Sequence, residues 1–346
     1  MQRTKLKVKL SEWAYIVSRI KVMSRKLIPT PEYLKLLNMD LNGIIKYLEE
    51  TEYKKEIDEL AYKYRGLELI EYSLTLNLSR TYRKILRISK GLPREIILKY
   101  LKKWDFWNIK NIIRGKKFGF SKEEIEATLV IAGEYDEDFY RTLVAREELE
   151  DIIKEFKGKP YYPILKKLIE ERPLGKYEDE LDKYYYTTLM EIEPKTKDLK
   201  IFINFIKMEV DIKNIKTILR LKIEEAKPDE ILEKIIPGGY QLKDKEARKL
   251  ATSEWKEMIE SLKGYWFYEE IKNLFEQMAL SRLEVYLDRM WAKRVIAHSR
   301  YHPISVLPVL SYILLKKIEM DNLRILARGK EEGMGVEDIK EQLVLI

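Results

Sequence analysis

Residues 105–116 read DFWNIKNIIRGK, and the same pattern returns as DIKNIKTILRLK at 211–222 and EMDNLRILARGK at 319–330. Each copy runs acid, two free positions, Asn, Ile or Leu, Lys or Arg, a free position, an aliphatic, a free position, Arg, a free position, Lys. The copies start 106 and then 108 residues apart, so a unit of that length fills nearly all of the 346 residues. At 100° per residue, positions 0, 3, 4, 7 and 8 of the signature form one helical stripe. That stripe holds Asp105, Asn108, Ile109, Ile112 and Ile113 in copy one, and Asp211, Asn214, Ile215, Ile218 and Leu219 in copy two. In copy three it holds Glu319, Asn322, Leu323, Leu326 and Ala327. The aliphatics read as core. An Asn on a buried stripe must find hydrogen-bond partners, because an unpaired amide costs about 1–3 kcal/mol, and backbone at a helix end or loop is the expected partner. Lys110, Lys216 and Arg324, with Arg114, Arg220 and Arg328, fall on the opposite side. The signature as a whole reads as a packing and capping device, with a binding role for the repeated Arg as the rival.

The repeat extends both ways. Glu71, Glu178 and Glu284 stand 34, 33 and 35 residues before the signature acids, each followed three residues on by Leu. Ile125, Ile231 and Ile339 each fall 11 residues after the signature Arg, with Leu129, Ile235 and Leu343 four residues later. Ser121 with Glu124 has the form of a capping box, and Pro228-Asp229-Glu230 suits a first helical turn. Each unit then reads as a long helix pair, a signature helix and a short closing helix. The segments that match run 41–133, 157–240 and 264–346. Divided without gaps, the chain becomes an N-terminal arm at 1–40 packing on the first bundle, and repeats at 41–133, 134–240 and 241–346.

Apolar residues recur at three- and four-residue spacing throughout, no β-branched run alternates with polar residues, and Pro and Gly punctuate. The fold is expected to be all-α, as three pseudo-symmetric helical bundles.

Composition removes whole classes of chemistry. There is no Cys, which excludes disulfides and thiolate ligands. No GxxxxGK[ST] or GxGxxG occurs, so no loop is set to cradle phosphates. The two His, His298 and His302, have i,i+4 spacing, but no third ligand is indicated. No catalytic residue, cofactor or metal is expected. The aromatic runs Tyr184–Tyr186 and Tyr265–Tyr268 could stack on bases but at helical spacing read as packing. The longest apolar stretch, Ile304–Leu315, is short and broken by Ser305, Pro308 and Ser311, whereas a span needs about 20 apolar residues. With no signal peptide in sight, a cytosolic protein is expected unless something recruits it to a membrane. Abundant Lys, Glu and Ile with little Gln lean towards a thermophile.

Charge is unevenly placed. Residues 1–30 carry eight bases against Glu12, and residues 80–117 carry thirteen against Glu95 and Asp105. Residues 121–156 hold twelve acids against four bases. Separate basic and acidic zones can meet different partners. Within the basic stretch, Arg80, Arg83, Lys84 and Arg87 have helical spacing.

The triplication, the helical periodicity and the Asn–Arg signature together resemble the C subunit of A-type (bacterial V-type) ATP synthases, whose eukaryotic relative is the d subunit of the vacuolar ATPase. The arm fits as well, with Tyr15, Arg19 and Met23 on one helix before Leu27 and Tyr33. The third signature departs by using Glu319 for Asp, and Gly115 and Gly329 stand where copy two has Leu221. The resemblance implies a funnel-shaped, non-catalytic rotor subunit in the central stalk of an assembly that couples ATP synthesis or hydrolysis to H⁺ or Na⁺ movement. Its implied partners are the central shaft (the D and F subunits) and the membrane proteolipid ring. It would lie peripherally on the cytoplasmic face, and Arg80, Arg83, Lys84 and Arg87 would be candidate ring or shaft contacts. Two rivals stand beside it. A nucleic-acid-binding helical repeat would use the basic stretch, but the chain as a whole carries a net charge of only +8, and its units are long for a base-per-repeat reader. A cytosolic helical scaffold would be expected to show shorter repeats.

Overall fold

The computed structural model describes residues 10–170, 174–275 and 280–346; Arg3, Lys5, Lys7 and Lys9 of the basic segment, the start of the 1–40 arm, and Pro173 among the expected breaks lie outside them. Among the described residues the structure is helical with no strand. The chain divides into two compact units. One comprises the chain up to Asp105 with Val130–Asp136 and Arg294–Ile339; the other comprises Phe106–Leu129, Glu137–Lys293 and Lys340–Ile346.

Helix order recurs along the chain. Helices begin at Thr30, Glu137 and Asp244, then at Leu41, Leu149 and Trp255, then at Lys54, Tyr162 and Tyr268, then at Gly66, Leu174 and Leu280. The signature helices follow as Lys197–Ile223 and Leu307–Glu331, while copy one divides the equivalent length into Gly91–Leu101 and Lys103–Phe118. The closing helices are Lys122–Ala127, Pro228–Lys234 and Val336–Gln342. Proline opens the short helix Thr30–Leu36, whereas the next is started by the Asp40 side chain, which accepts from the Gly43 N–H at 2.7 Å.

The signature aliphatics are core in all three copies. Ile109, Ile112, Ile113, Ile215, Ile218, Leu219, Leu323 and Leu326 are all essentially buried, each branched chain contributing about 1.5–3 kcal/mol by leaving water. The expected capping box is present, with Ser121 Oγ accepting from Glu124 N–H and Glu124 accepting from Ser121 N–H. All three signature helices end in one turn. Phe120, Ala226 and Met334 donate their N–H groups five residues back to Gly115, Leu221 and Gly329, and the residue before each donor is left-handed: Gly119, Glu225 and Gly333. The aromatic runs pack largely inward, with Tyr185, Tyr186, Phe267 and Tyr268 buried.

No helix among the described residues is long and apolar enough to cross a membrane.

Candidate functional site

The repeated polar residues are functional candidates that recur, and they form three sets of contacts. The first set belongs to the stripe acid. Asp105 is buried and its carboxylate accepts from the backbone N–H of Glu134 at 2.7 Å. Asp211, also buried, accepts from three N–H groups, Tyr240 at 2.8 Å, Gln241 at 2.7 Å and Leu242 at 3.1 Å. Burial pushes the Asp211 carboxyl up to about 6, against the downward pull of those three donors. Each Asp thus holds the stretch of backbone that leads into the following copy. Glycine makes the approach close enough: a Cβ on Gly133 or Gly239 would overlap the carboxylate.

Glu319 makes the equivalent contact with different groups. Its carboxylate accepts from the Ile28 N–H at 2.6 Å, the Tyr53 hydroxyl at 2.7 Å and the Lys316 ammonium at 2.7 Å. Lys316 also donates to the Tyr53 oxygen at 3.0 Å and lies over its ring at 4.1 Å. All three side chains are buried, and the Tyr53 hydroxyl is raised well above the usual tyrosine range by burial and by the Glu319 charge. The position is equivalent by count. Glu134 and Tyr240 each stand 44 residues before the next upstream Glu, and Ile28 stands 43 before Glu71. Where the other two copies have Gly133 and Gly239, this one has Leu27. The longer acid reaches across from farther away, and no glycine is required.

The second set belongs to the Asn. Asn108, Asn214 and Asn322 are all buried. Asn214 pairs with one residue of the loop after the closing helix, donating to the Ile236 carbonyl at 2.7 Å and accepting from its N–H at 2.9 Å. Backbone is the partner the sequence pointed to for this side chain.

The third set explains the basic positions. Arg114 pairs with Glu178 at 2.5 Å, Arg220 with Glu284 at 2.6 Å, and Arg328 with Glu71. Each Arg reaches the upstream Glu of the following copy, and the third returns to the first. One turn away, Lys110 pairs with Asp182 at 2.8 Å and Lys216 with Asp288 at 2.5 Å. Thr75 stands where those two have Asp, and it accepts from Arg324 at 3.1 Å. Burial lowers the Arg324 pKa. Each of the repeated Arg side chains is thus paired within the chain.

Gly115 and Gly329 serve the closing helices. A Cβ on either would overlap Ile125 or Ile339, the buried anchors that follow each signature Arg by 11 residues.

The four bases singled out on the helix Gly66–Ile88 divide. Arg80 is spent on Glu56 at 2.9 Å and on both oxygens of Glu59 at 2.8 Å. Arg83 and Arg87 are exposed and Lys84 is half-buried, with no ion pair among the described residues. Among the described residues no group of three His, Asp or Glu side chains is placed to hold a metal ion. His298, near the end of the helix Leu280–Tyr301, has its pKa lowered by burial and by Arg294 and His302.

The repeated polar groups thus clamp one copy to the next. The chain belongs to the ATP synthase (C/AC39) subunit family, which it matches over residues 16–342. It is 48% identical over 334 residues to the C subunit of the A-type ATP synthase of Archaeoglobus fulgidus, covering 96% of both chains. It is 40% identical over 339 residues to the protein of the same name from Methanococcoides burtonii, covering 97% of this chain and 95% of that one. With the Haloferax volcanii protein of that name it shares 30% identity over 340 residues, 96% and 97% of the two chains.

Proposed function

We propose that this chain is a non-catalytic rotor subunit in the central stalk of an A-type ATP synthase, joining the central shaft (the D and F subunits) to the membrane proteolipid ring. Family membership over nearly the whole chain supports the assembly. The use of the signature carboxylates, Asn214 and the three signature arginines on internal contacts supports a load-transmitting role. A spacer between a shaft without rotational symmetry and a ring of identical subunits cannot match both point for point. Contacts governed by charge and shape tolerate that mismatch, and close-packed helices deform little under torque. We further propose that 41–133, 134–240 and 241–346 are equivalent bundles with 1–40 as the arm, and that Arg83, Lys84 and Arg87 face the ring, with Arg80 holding their helix in place. The subunit then sits peripherally on the cytoplasmic face, binds no nucleotide and takes part in H⁺ or Na⁺ coupling only through its partners.

The test is a pair of pull-downs using the full chain, one with the D–F shaft and one with the detergent-solubilised ring. Both are expected to retain it, and the ring contact should weaken as the Debye length falls from about 10 Å at 0.1 M salt to about 3 Å at 1 M. Reversing Arg83, Lys84 and Arg87 to Glu should weaken ring binding and spare the shaft. Retention by neither partner would overturn the rotor reading, and loss of the shaft alone would invert the assignment of the two ends.

A further inference from the structure

We infer that the outward face of the N-terminal helix Leu10–Ser24, together with the helix beside it and the end of the helix packed on that one, is a docking surface for an anionic bilayer. The inference deepens the rotor reading and rests on it for the presence of a membrane, but it adds lipid itself as a ligand. The helix buries Trp13, Ile16, Val17, Ile20 and Met23. On its other face Tyr15 is 55% and Val22 59% exposed, i,i+7 on one stripe with Arg19 between them. Lys21 and Arg25 flank that stripe. The helix packs beside Gly91–Leu101, which exposes Arg94 and Lys99, and that helix packs in turn against Gly66–Ile88, whose end and following turn expose Arg83, Arg87 and Lys90.

Among the described residues these eight exposed bases have no intramolecular ion pair, and Glu12 and Glu95 are the only acids in the sequence of 10–28 and 80–101. Several bases elsewhere are neutralised within a turn, as Lys35 is by Glu32, Lys154 by Asp151 and Lys272 by Glu269. An excess of eight unpaired bases over two acids along these helices selects an anionic partner. The bases are spread out and converge on no pocket, which suits a plane of headgroups better than one carboxylate. The exposed Tyr and Val between them supply the shallow apolar insertion of an interfacial helix.

The experiment is co-sedimentation of the full chain with protein-free vesicles, of phosphatidylcholine alone or mixed with phosphatidylglycerol. Binding is expected to the mixed vesicles only, and to disappear at 1 M salt. R19E/K21E/R25E should bind at least tenfold more weakly, R83E/R87E/R94E should also weaken, and Y15S/V22S should lose several-fold in affinity with an unchanged salt dependence. R248E/K249E, exposed and remote in sequence, should bind as the unaltered chain. Circular dichroism melts confirm that each variant folds. Equal binding to both vesicle types, binding to neither, or wild-type binding by R19E/K21E/R25E would overturn the proposal. Tighter binding to duplex DNA than to anionic vesicles at the same salt would also overturn it. Ring binding in detergent, measured in parallel, separates the two readings: intact ring binding without vesicle binding sinks the lipid surface alone, and the reverse sinks the rotor reading alone.

Discussion

Two junctions between successive copies solve one problem differently. From copy two to copy three, Asp211 takes three backbone N–H groups beside Gly239, and Lys216 and Arg220 face Asp288 and Glu284. From copy three back to copy one, Glu319 takes one backbone N–H beside Leu27, a tyrosine hydroxyl and a buried ammonium, and Arg324 faces Thr75. The first junction keeps its carboxylate company with neutral dipoles and places its ion pairs at the surface. The second brings a full positive charge, Lys316, into the interior. The same topological contact is thus made once by hydrogen bonding and once by a buried charge network, and the two should fail differently.

The largest effect is expected at the charged junction. Glu319→Ala strands Lys316 without its counter-charge and should cost about 4–5 kcal/mol in urea unfolding. Asp211→Ala orphans N–H groups only and should cost about 3 kcal/mol. A larger loss at Asp211 would reverse the comparison.

Next comes pH. The folded-state value of Asp211, about 6, lies above its ordinary 3.8, so the folded chain holds that proton more tightly. This contribution is present in full below pH 3.8 and is lost as pH rises through 6, about 3 kcal/mol over the window. Relative to Asp211→Asn, the unaltered chain should lose stability from pH 4 to 7; a difference between the two that does not vary with pH would refute this.

Gly239→Ala should cost about 1–3 kcal/mol, because its Cβ overlaps the carboxylate and nearby backbone. Leu27→Ala, a half-buried position with no such crowding, should cost less than 1 kcal/mol. Equal thermal-melt shifts would erase the distinction between a tight and a spacious junction.

The smallest effect concerns the turns that end the signature helices. Glu225 is the sole non-glycine residue with positive φ among those described, at 56°. Glu225→Gly should stabilise by about 0.5–1 kcal/mol, while Gly119→Ala and Gly333→Ala should destabilise by a similar amount. No gain in melting temperature at 225 would mean that its local contacts already offset the strain.

Much of this is legible in the residues. The 3.6-residue stripe locates the core, and an Asn on that stripe has to be buried. The reach into the next copy is not legible. Arg114 and Glu178 stand 64 residues apart, a separation without any helical period, so the upstream Glu reads as a repeat marker and not as a partner. Gly133 and Gly239, each 28 residues after an Asp, are the available signal for the carboxylate clamp. That signal fails at copy three, where Glu and Leu replace Asp and Gly together and the donor, Ile28, precedes the acid by 291 residues. The heads of the repeats escape notice because helices of 6–9 residues leave too few turns for an amphipathic period to show. Nor is it legible that Ile28 supplies a donor equivalent to those of Glu134 and Tyr240.

The bond between Ile28 and Glu319 sets an order of events during synthesis. One compact unit is built from the chain up to Asp105 and from Arg294–Ile339. Its early part must wait for its late part to leave the ribosome. Between residues 105 and 339, at about 5–20 residues per second, that wait is roughly 10–50 s. During it the buried faces of Leu74, Leu78 and Ile85 lack the helix Leu307–Glu331 that packs against theirs. The nascent chain therefore carries an uncovered apolar surface for longer than the folding time of most single domains, which makes it a natural client for chaperones that bind at the exit tunnel.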